Sequence, residues 1–180
     1  ITLGGDVDFG KLVGTLTRAA SEPASLIIPA TKSVVLDLNG CTLSQTAEQT
    51  SAHSMIVNNG NLTIVDNKGN GKISYSDTGN GGEYVSNTIV NNGRLVIESG
   101  VIENNSSATV ASNGYPHPVD NNGELIINGG TLTNNANYAS MRIWCTTDDN
   151  TSVTINGGTF NGSIDFQTPN GAANKGTLTI

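Results

Sequence analysis

The chain carries a recurring pattern of short hydrophobic stretches separated by segments rich in Asn and Gly. Within each stretch apolar and polar residues alternate, which is the period of half-buried β-strands. Most stretches end at Asn-Asn-Gly, Asn-Gly-Gly or a close variant. The same unit appears at 56–64, 89–97 and 118–133, with a degenerate copy at 150–160. The pattern therefore predicts a protein built from repeated short strands and tight corners.

The spacing of the repeat predicts a solenoid rather than a β-sandwich. Each unit holds three short strands, whereas a sandwich joins its strands pairwise through two-residue hairpin turns. Three strands and three corners make one coil of a parallel β-helix, here single-stranded, all-β and of about five to six coils. The general preference for right-handed crossovers predicts a right-handed solenoid. The equivalent positions are taken as Val34, Gly60, Gly93, Gly123, Thr151 and Gly176, at intervals of 25 to 33 residues.

Alternation assigns the side chains of each strand to the core or to the outer surface. Val96 and Ile126 fall on the outer face of adjacent coils, together with Thr63 and Thr154, and are expected to be exposed. The first copy is aligned by matching Leu36, Leu38 and Leu43 with Leu125, Ile127 and Leu132. The predicted inward stripe is Leu62, Ile64, Leu95, Ile97, Leu125, Ile127, Val153, Ile155, Leu178 and Ile180.

The corners have two predicted properties. Asn and Gly tolerate the left-handed backbone conformation, which the corners are expected to require. Equivalent corners stack on one another, so their Asn side chains are expected to form hydrogen-bonded ladders along the solenoid axis.

The first part of the chain does not fit the repeat, so residues 1–31 are predicted to form an N-terminal cap and 32–180 the solenoid. Asp8 is a candidate N-cap of a short amphipathic helix that ends near Ala20. The alternative is a pair of strands, Ile1–Leu3 and Lys11–Thr17. At the other end, Leu178-Thr179-Ile180 is expected to continue into further chain or to pack on a partner.

The composition of the chain limits the kinds of partner that it can bind. The net charge is −7 and Lys and Arg number only eight, which argues against binding to nucleic acid. No apolar run approaches the ~18 residues of a membrane span. Cys41 and Cys145 are several coils apart, too far for a disulfide, so both are predicted to be reduced and buried.

Val35-Leu36-Asp37-Leu38-Asn39-Gly40-Cys41-Thr42-Leu43 and the later Leu-x-Ile-x-Gly-Gly-Thr units resemble the pectate-lyase-like right-handed β-helix superfamily. The likeness is greatest to its Asn/Gly-rich, adhesin-like members in bacterial surface proteins and phage fibres. It covers roughly residues 30–180 and implies an extracellular location, on a cell surface or a virion. This fold supports lyases, hydrolases, tailspikes and adhesins, so it does not by itself imply an activity.

The catalytic residues of these enzymes have weak counterparts here. The lyases use a calcium-binding acidic cluster with Arg or Lys as the base, and the hydrolases use clustered Asp residues. Asp148 and Asp149, with Arg142 nearby, are the best candidates, but neighbouring coils offer neutral residues at the matching positions. Asp148, Asp149 and Asn150 supply too few ligands for calcium. The chain is therefore predicted not to be an enzyme and to need no cofactor or metal.

Two histidines are isolated from metal-ligand or catalytic partners in the sequence. His53 has no Cys, Asp or Glu at ligand spacing, and His117 lies between two prolines. His117 is therefore predicted to lie at a rigid loop tip.

Aromatic residues indicate a binding surface. Tyr84, Tyr115, Tyr138 and Trp144 fall before the second strand of successive units, so they are expected on one side of the solenoid. Aromatic faces with polar neighbours suit sugar rings, although packing of loops or a subunit interface would also explain them. The predicted glycan site consists of Tyr84, Tyr115, His117, Tyr138, Arg142, Trp144, Asp148 and Asp149.

Three functions follow from these observations. The first is a non-enzymatic structural and adhesive module of a surface protein or virion fibre, with a cell-surface glycan as partner. The second is a purely structural spacer or virion decoration that self-associates through the exposed strand face and the C-terminal coil. The third is a polysaccharide lyase or glycoside hydrolase that uses Asp148 and Asp149.

Overall fold

The fold is known from a computed structural model that describes residues 1–9, 25–47, 53–77, 86–106, 116–135, 140–144, 151–167 and 176–180. The strands are β1 (Val7–Asp8), β2 (Leu26–Ile28), β3 (Ser33–Asp37), β4 (Thr42–Ala47), β5 (His53–Asn58), β6 (Asn61–Val65), β7 (Lys72–Asp77), β8 (Ser86–Asn91), β9 (Arg94–Ile97), β10 (Val101–Asn104), β11 (Val119–Asn121), β12 (Glu124–Ile127), β13 (Thr131–Asn134), β14 (Ser140–Trp144), β15 (Ser152–Ile155), β16 (Thr159–Asn161), β17 (Ser163–Gln167) and β18 (Thr177–Thr179).

These strands stack into parallel sheets, as the repeat predicts. Sheet A has the order β18-β15-β12-β9-β6-β3, sheet B the order β1-β4-β7-β10-β13-β16, and sheet C the order β11-β8-β5-β2. The pair β14–β17 follows beside β11. Each coil takes one strand from sheet C, then from A, then from B. The all-β parallel solenoid is confirmed, and four of the coils between β2 and β13 are complete in all three sheets.

The N-terminal segment enters the solenoid earlier than the sequence predicts. Thr2 forms a parallel bridge with Asp37 at the edge of sheet A, and Val7–Asp8 pairs with β4 in sheet B. The segment Leu26–Ile28 then opens sheet C. The cap thus differs in detail from the prediction, and the body of the predicted helix, up to Ala20, lies within residues 10–24, which are outside the described residues.

The core lies between the three sheets and consists of aliphatic side chains stacked in register. In sheet A, Leu62, Leu95 and Leu125 stack on one another and are at most 1% exposed. The predicted inward stripe is confirmed from Leu62 to Ile155. Leu178 continues the stripe in register with Val153, but Leu178 and Ile180 are 38% and 86% exposed, because among the described strands β18 has a neighbour on one side only.

The alignment of the first copy is shifted by two residues. Val34 pairs with Leu62, and Leu36 pairs with Ile64, so Leu36 is equivalent to Ile127 rather than to Leu125. The corner after β3 is longer than those after β9, β12 and β15 and holds Leu38, which is fully buried. A shift of two residues keeps every side chain on its own face, so the hydrophobic pattern alone does not detect it.

The outer face of sheet A is less apolar than predicted. Val96 is only 5% exposed, so its predicted exposure is wrong. It lies in register between Thr63 and Ile126, which are both half-buried. Val35, next to the N-terminal edge, is 54% exposed because sheet A ends there.

The predicted asparagine ladders are present at the corner between sheets C and A. An inner ladder is fully buried: Asn58 Nδ2 donates to Asn91 Oδ1 at 2.7 Å, and Asn91 Nδ2 donates to Asn121 Oδ1 at 2.6 Å. An outer, exposed ladder lies one residue further along. Its members are Asn59, Asn92 and Asn122, joined at 2.9 and 3.2 Å. Buried amides are thus paired along the axis, as buried polar groups must be.

Glycine is required at this corner for a reason other than the predicted one. Gly60, Gly93 and Gly123 are not in the left-handed region. A Cβ on Gly93 would overlap the carbonyl oxygen of Gly60, and a Cβ on Gly123 would overlap that of Gly93. The left-handed prediction holds instead at the corner between sheets A and B, for example at Gly130 with φ 82°.

Cys41 is a free thiol, as predicted, but is half-buried rather than buried. It packs against the edge of the core. Cys145 lies outside the described residues.

Candidate functional site

Sheet C departs from regular alternation midway along β5 and β8. The N–H groups of Thr88 and Ile89 both donate to the next coil, to the carbonyl oxygens of His117 and Pro118 at 2.9 and 3.1 Å. In a regular strand, successive N–H groups point to opposite sides. The register between β5 and β8 correspondingly skips Met55. Such an irregularity, like a β-bulge, bends the strand and redirects side chains.

A groove lies on the outer face of sheet C beside this irregularity. It has a volume of about 440 Å³ and crosses four coils. Its lining combines hydroxyl, imidazole, amide and carboxylate groups with two aliphatic side chains. The lining residues are Ser25, His53, Ser54, Val57, Asn87, Val90 and Asp120.

One wall of the groove is a fixed polar array. Asn87 is only 3% exposed, and its Oδ1 accepts the backbone N–H of His117 at 3.0 Å. Its Nδ2 donates to Asp120 Oδ2 at 3.1 Å. At the other end, Ser25 Oγ donates to the carbonyl oxygen of Ser54 at 2.8 Å. Because the Asn87 amide is held from the backbone side, it fixes the position of the Asp120 carboxylate.

The floor of the groove is a row of aliphatic residues that ends in this carboxylate. Val57, Val90 and Asp120 line the groove at one register position on successive strands, and Ile27 continues this row by one strand beyond the lining residues. Ile27 is 57% exposed, and Val57 and Val90 are half-buried. Strands in one sheet are ~4.8 Å apart, so the row extends over about 14 Å.

His53 forms the rim and is tied to the solenoid interior. Its ring centroid lies 6.0 Å from that of Tyr75, which is fully buried. Its Nε2 lies 3.3 Å from Oε1 of the buried Gln45. These contacts hold the imidazole in place beside the groove.

A second groove, of about 560 Å³, follows the outer asparagine ladder. Its amides already bind one another, and Arg94 Nε pairs with Glu124 Oε2 at 2.9 Å. It is lined by glycine and polar residues, with Ala30 as its one apolar side chain among the described residues. The groove on sheet C has two aliphatic side chains in its lining, of the kind that small-molecule sites use, and we favour it for that reason.

Carboxylates elsewhere hold loops and coils together. On the outer face of sheet B, Glu103 Oε1 accepts from Lys72 Nζ at 3.3 Å and from Asn105 Nδ2 at 3.1 Å. Burial raises the pKa of Glu103, but hydrogen bonds from Ser74, Asn105 and Lys72 outweigh it, so the pKa lies below its ordinary value. The pKa of Asp37 is also lowered, first by the hydrogen bond from the Asn67 amide.

Most of the residues in the predicted glycan site cannot be placed. Arg142 and Trp144 belong to strand β14, which lies beside β11, rather than to a connecting stretch. The others, apart from His117, lie outside the described residues: Tyr84, Tyr115, Tyr138, Asp148 and Asp149.

His117 is buried, with 1% exposure, so its prediction as a loop tip is wrong. Its carbonyl oxygen accepts from the backbone N–H of Thr88 and from Asn104 Nδ2 at 3.2 Å. The two flanking prolines lead the chain into sheet C rather than away from the protein.

Sequence reasoning missed Ser54, Asn87 and Asp120. One signal was available. The units Ile56-Val57-Asn58-Asn59 and Ile89-Val90-Asn91-Asn92 recur as Val119-Asp120-Asn121-Asn122, in which an outward valine is replaced by a carboxylate. The register irregularity beside the groove has no comparable signature in the sequence, because it depends on how the strands stack.

Searches for other kinds of site and for relatives add nothing further. Within the described ranges, no three His, Cys, Asp or Glu residues are grouped to hold a metal ion, and no helix there is long and apolar enough to cross a membrane. Comparison with protein-family models, curated proteins and solved structures finds no match. Membership of the pectate-lyase-like superfamily therefore stays a prediction from the repeat.

Proposed function

We propose that this protein is a non-enzymatic, extracellular adhesive module of a cell-surface protein or virion fibre, and that it binds glycans in the groove on sheet C. The observation that carries the proposal is the composition of this groove. Val57 and Val90 offer an apolar floor for the CH groups of a sugar ring, and the Asn87–Asp120 pair offers hydrogen-bonding groups for its hydroxyls. Sites with an apolar surface and a few fixed polar groups are typical of small-ligand binding.

Preorganisation supports this choice of site. Asn87 is held by the backbone of the next coil and in turn holds Asp120, so ligand binding need not order these side chains. Less entropy is then lost on association. The parallel sheet beneath them is a rigid support, which favours accurate placement of binding groups.

The aromatic residues of the sequence prediction adjoin the same face along the chain. Tyr84 comes three residues before Asn87, and Tyr115 comes five residues before Asp120. Trp144 ends β14, the strand beside β11. In our proposal these aromatic side chains extend the glycan surface beyond the groove.

A matched pair of variants tests this function. Val57→Glu places a charge and additional bulk on the groove floor, whereas Thr154→Glu makes a similar change at a half-buried position on the outer face of sheet A. On a glycan array, Val57→Glu should abolish binding and Thr154→Glu should preserve it. Equal binding by both variants, with circular dichroism showing both folded, contradicts the proposed site.

Self-association is a second candidate, favoured by exposed apolar side chains at the N-terminal edge of sheet A. Ile1 and Val35 are 69% and 54% exposed and are joined by a hydrogen bond from the Ile1 amino group to the Val35 carbonyl oxygen. Exposed apolar groups at a sheet edge favour association. Light scattering of the wild type and of Val35→Ser tests this candidate. A monomeric wild type rules it out, and an oligomer unchanged by Val35→Ser excludes this surface.

The enzymatic alternative has its own test. Glycoside hydrolysis generally needs two carboxylates across the bond, and Asp120 is the single carboxylate among the described lining of the groove. Cleavage of uronic-acid or neutral polysaccharides that is abolished by Asp148→Asn would overturn the non-enzymatic proposal.

A further inference from the structure

The groove on sheet C repeats one pair of side chains along the solenoid axis. Ser54 precedes Val57 on β5 and Asn87 precedes Val90 on β8 at the same spacing, and all four line the groove. Ser54 is in register with Asn87, and Val57 is in register with Val90. The two coils therefore present the same arrangement, a polar side chain and an aliphatic one, in two parallel rows.

A third coil extends both rows towards the N-terminal end. Ile27 on β2 is in register with Val57 and is 57% exposed. Ser25 lines the groove, and its Oγ donates to the carbonyl oxygen of Ser54 at 2.8 Å. Three successive coils thus share an apolar row and a polar row.

The two rows give the groove a direction. Along a strand its chemistry changes from polar to apolar within two or three residues, whereas along the axis it stays the same from coil to coil. A chain-like ligand that lies along the axis therefore meets the same contacts at every coil. One that lies along a strand leaves the apolar row after a single unit.

We propose that this groove binds a linear, extended β-linked glycan, with one sugar residue on each of the three coils. This inference rests on the proposed glycan-binding function and names its ligand class. Neighbouring strands lie ~4.8 Å apart, and neighbouring sugars of an extended β-1,4-linked chain are about 5 Å apart. The sugars therefore stay in phase with the coils over the length of the apolar row.

The shape of the sugar rings fits the two rows. In a β-1,4-linked chain of glucose-type sugars, each ring carries CH groups on both faces and hydroxyls around its edge. A ring that lies face down on Val57 or Val90 buries CH groups against an aliphatic side chain, and its edge hydroxyls reach Ser54 or Asn87. Successive rings are turned over, but both faces carry CH groups, so each ring makes the same contact. An α-1,4-linked chain curves, and its rings leave the row.

The experiment measures affinity against chain length by calorimetry. The ligands are β-1,4-linked oligomers of glucose and of N-acetylglucosamine and α-1,4-linked oligomers of glucose, each of one to six sugars. The proteins are the wild type, Ile27→Ser and Val35→Ser. Val35 is the matched control, because it is an aliphatic residue of similar exposure, 54%, on the outer face of sheet A.

In the wild type, each of the first three sugars of a β-linked series should tighten binding by about fivefold. Further sugars should add little, because the aliphatic row ends there, and the α-linked series should show no such rise. Ile27→Ser should weaken binding of trisaccharides and longer chains by about fivefold. It should leave disaccharides almost unchanged, because these still fit the coils of Val57 and Val90. Val35→Ser should bind every ligand as the wild type does.

An affinity that does not depend on chain length overturns the inference and leaves the glycan-binding function intact. The same holds for equal binding of the α- and β-linked series, for an equal effect of Ile27→Ser on all lengths, and for binding of other glycans on the array but of neither β-linked series. Failure of every glycan to bind rejects the function, and the inference with it.

Discussion

The buried asparagine ladder should contribute far more stability than the exposed one beside it. Replacing Asn91 by alanine removes three hydrogen bonds: one accepted from Asn58 and two donated, to Asn121 and to the carbonyl oxygen of Glu124. A buried polar group left without its partner costs about 1–3 kcal/mol. The two neighbouring amides each keep another hydrogen bond, so each of the three groups that lose Asn91 as a partner should cost about 1 kcal/mol. The free energy of unfolding should therefore fall by about 3 kcal/mol.

Asn92→Ala is the control, because it makes the same chemical change one residue along the chain. Asn92 also bonds to its neighbours in the ladder, but it is exposed, and water replaces the lost partners. Asn92→Ala should lower the free energy of unfolding by only ~0.5 kcal/mol. In urea unfolding with an m-value of ~2 kcal/mol/M, Asn91→Ala should lower the midpoint by about 1.5 M. Similar shifts for the two variants would refute the reasoning.

Three further predictions concern the corner glycines, the loss of stability at low pH and the aromatic side chains. Gly93→Ala should lower stability by at least about 1–3 kcal/mol, because its Cβ meets backbone. Gly4→Ala, where the Cβ has open space, should leave the melting temperature almost unchanged. Glu103 has a lowered folded-state pKa, so it stabilises the protein above the ordinary glutamate pKa and loses that effect as pH falls through the folded value. Glu103→Gln should therefore flatten the fall in stability between about pH 5 and 3, and an unchanged slope in urea titrations contradicts this. Trp144→Ala and Tyr115→Ala should each weaken glycan binding by about tenfold, whereas array binding that survives both changes removes the aromatic residues from the site.

The architecture of this protein is predictable from its sequence because the coil is a local pattern repeated many times. Leu95 and Ile97 alternate with outward residues, as their counterparts in neighbouring units do, and Asn91 precedes the corner in the same way as Asn58 and Asn121. A wrong assignment of strands or faces in one copy is then corrected by comparison with the other copies. The first copy, around Leu36, was misaligned because its corner is longer than the one in the copy it was matched to, after β12, and a two-residue shift leaves the inside and outside faces unchanged.

The physical reason for the recurring corner geometry is harder to predict from the sequence than the geometry itself. Asn-Asn-Gly indicated a corner correctly, but Gly93 is needed there because adjacent coils approach closely, not because of its φ angle. The burial of Val96 likewise depends on flanking strands. Both effects arise between coils, and a pattern read along a single coil does not contain them.

The candidate site was the least predictable part of the molecule. Its residues come from four coils and are individually ordinary: two serines, two valines, one Asn, one His and one Asp. Tyr84 and Tyr115 are close in sequence to Asn87 and Asp120, but the groove lies beside a register irregularity at Met55 and Thr88. That irregularity is a property of stacked strands.

The central claim is that glycans bind in the groove on sheet C. Methyl-labelled protein titrated with an uncharged oligosaccharide selected from the array tests it most directly by nuclear magnetic resonance. The methyl signals of Val57 and Val90 should shift in a saturable manner, while those of Val35 and Ile126, on the outer face of sheet A, should stay in place. Shifts at Val35 and Ile126 with unmoved Val57 and Val90 signals would contradict the account.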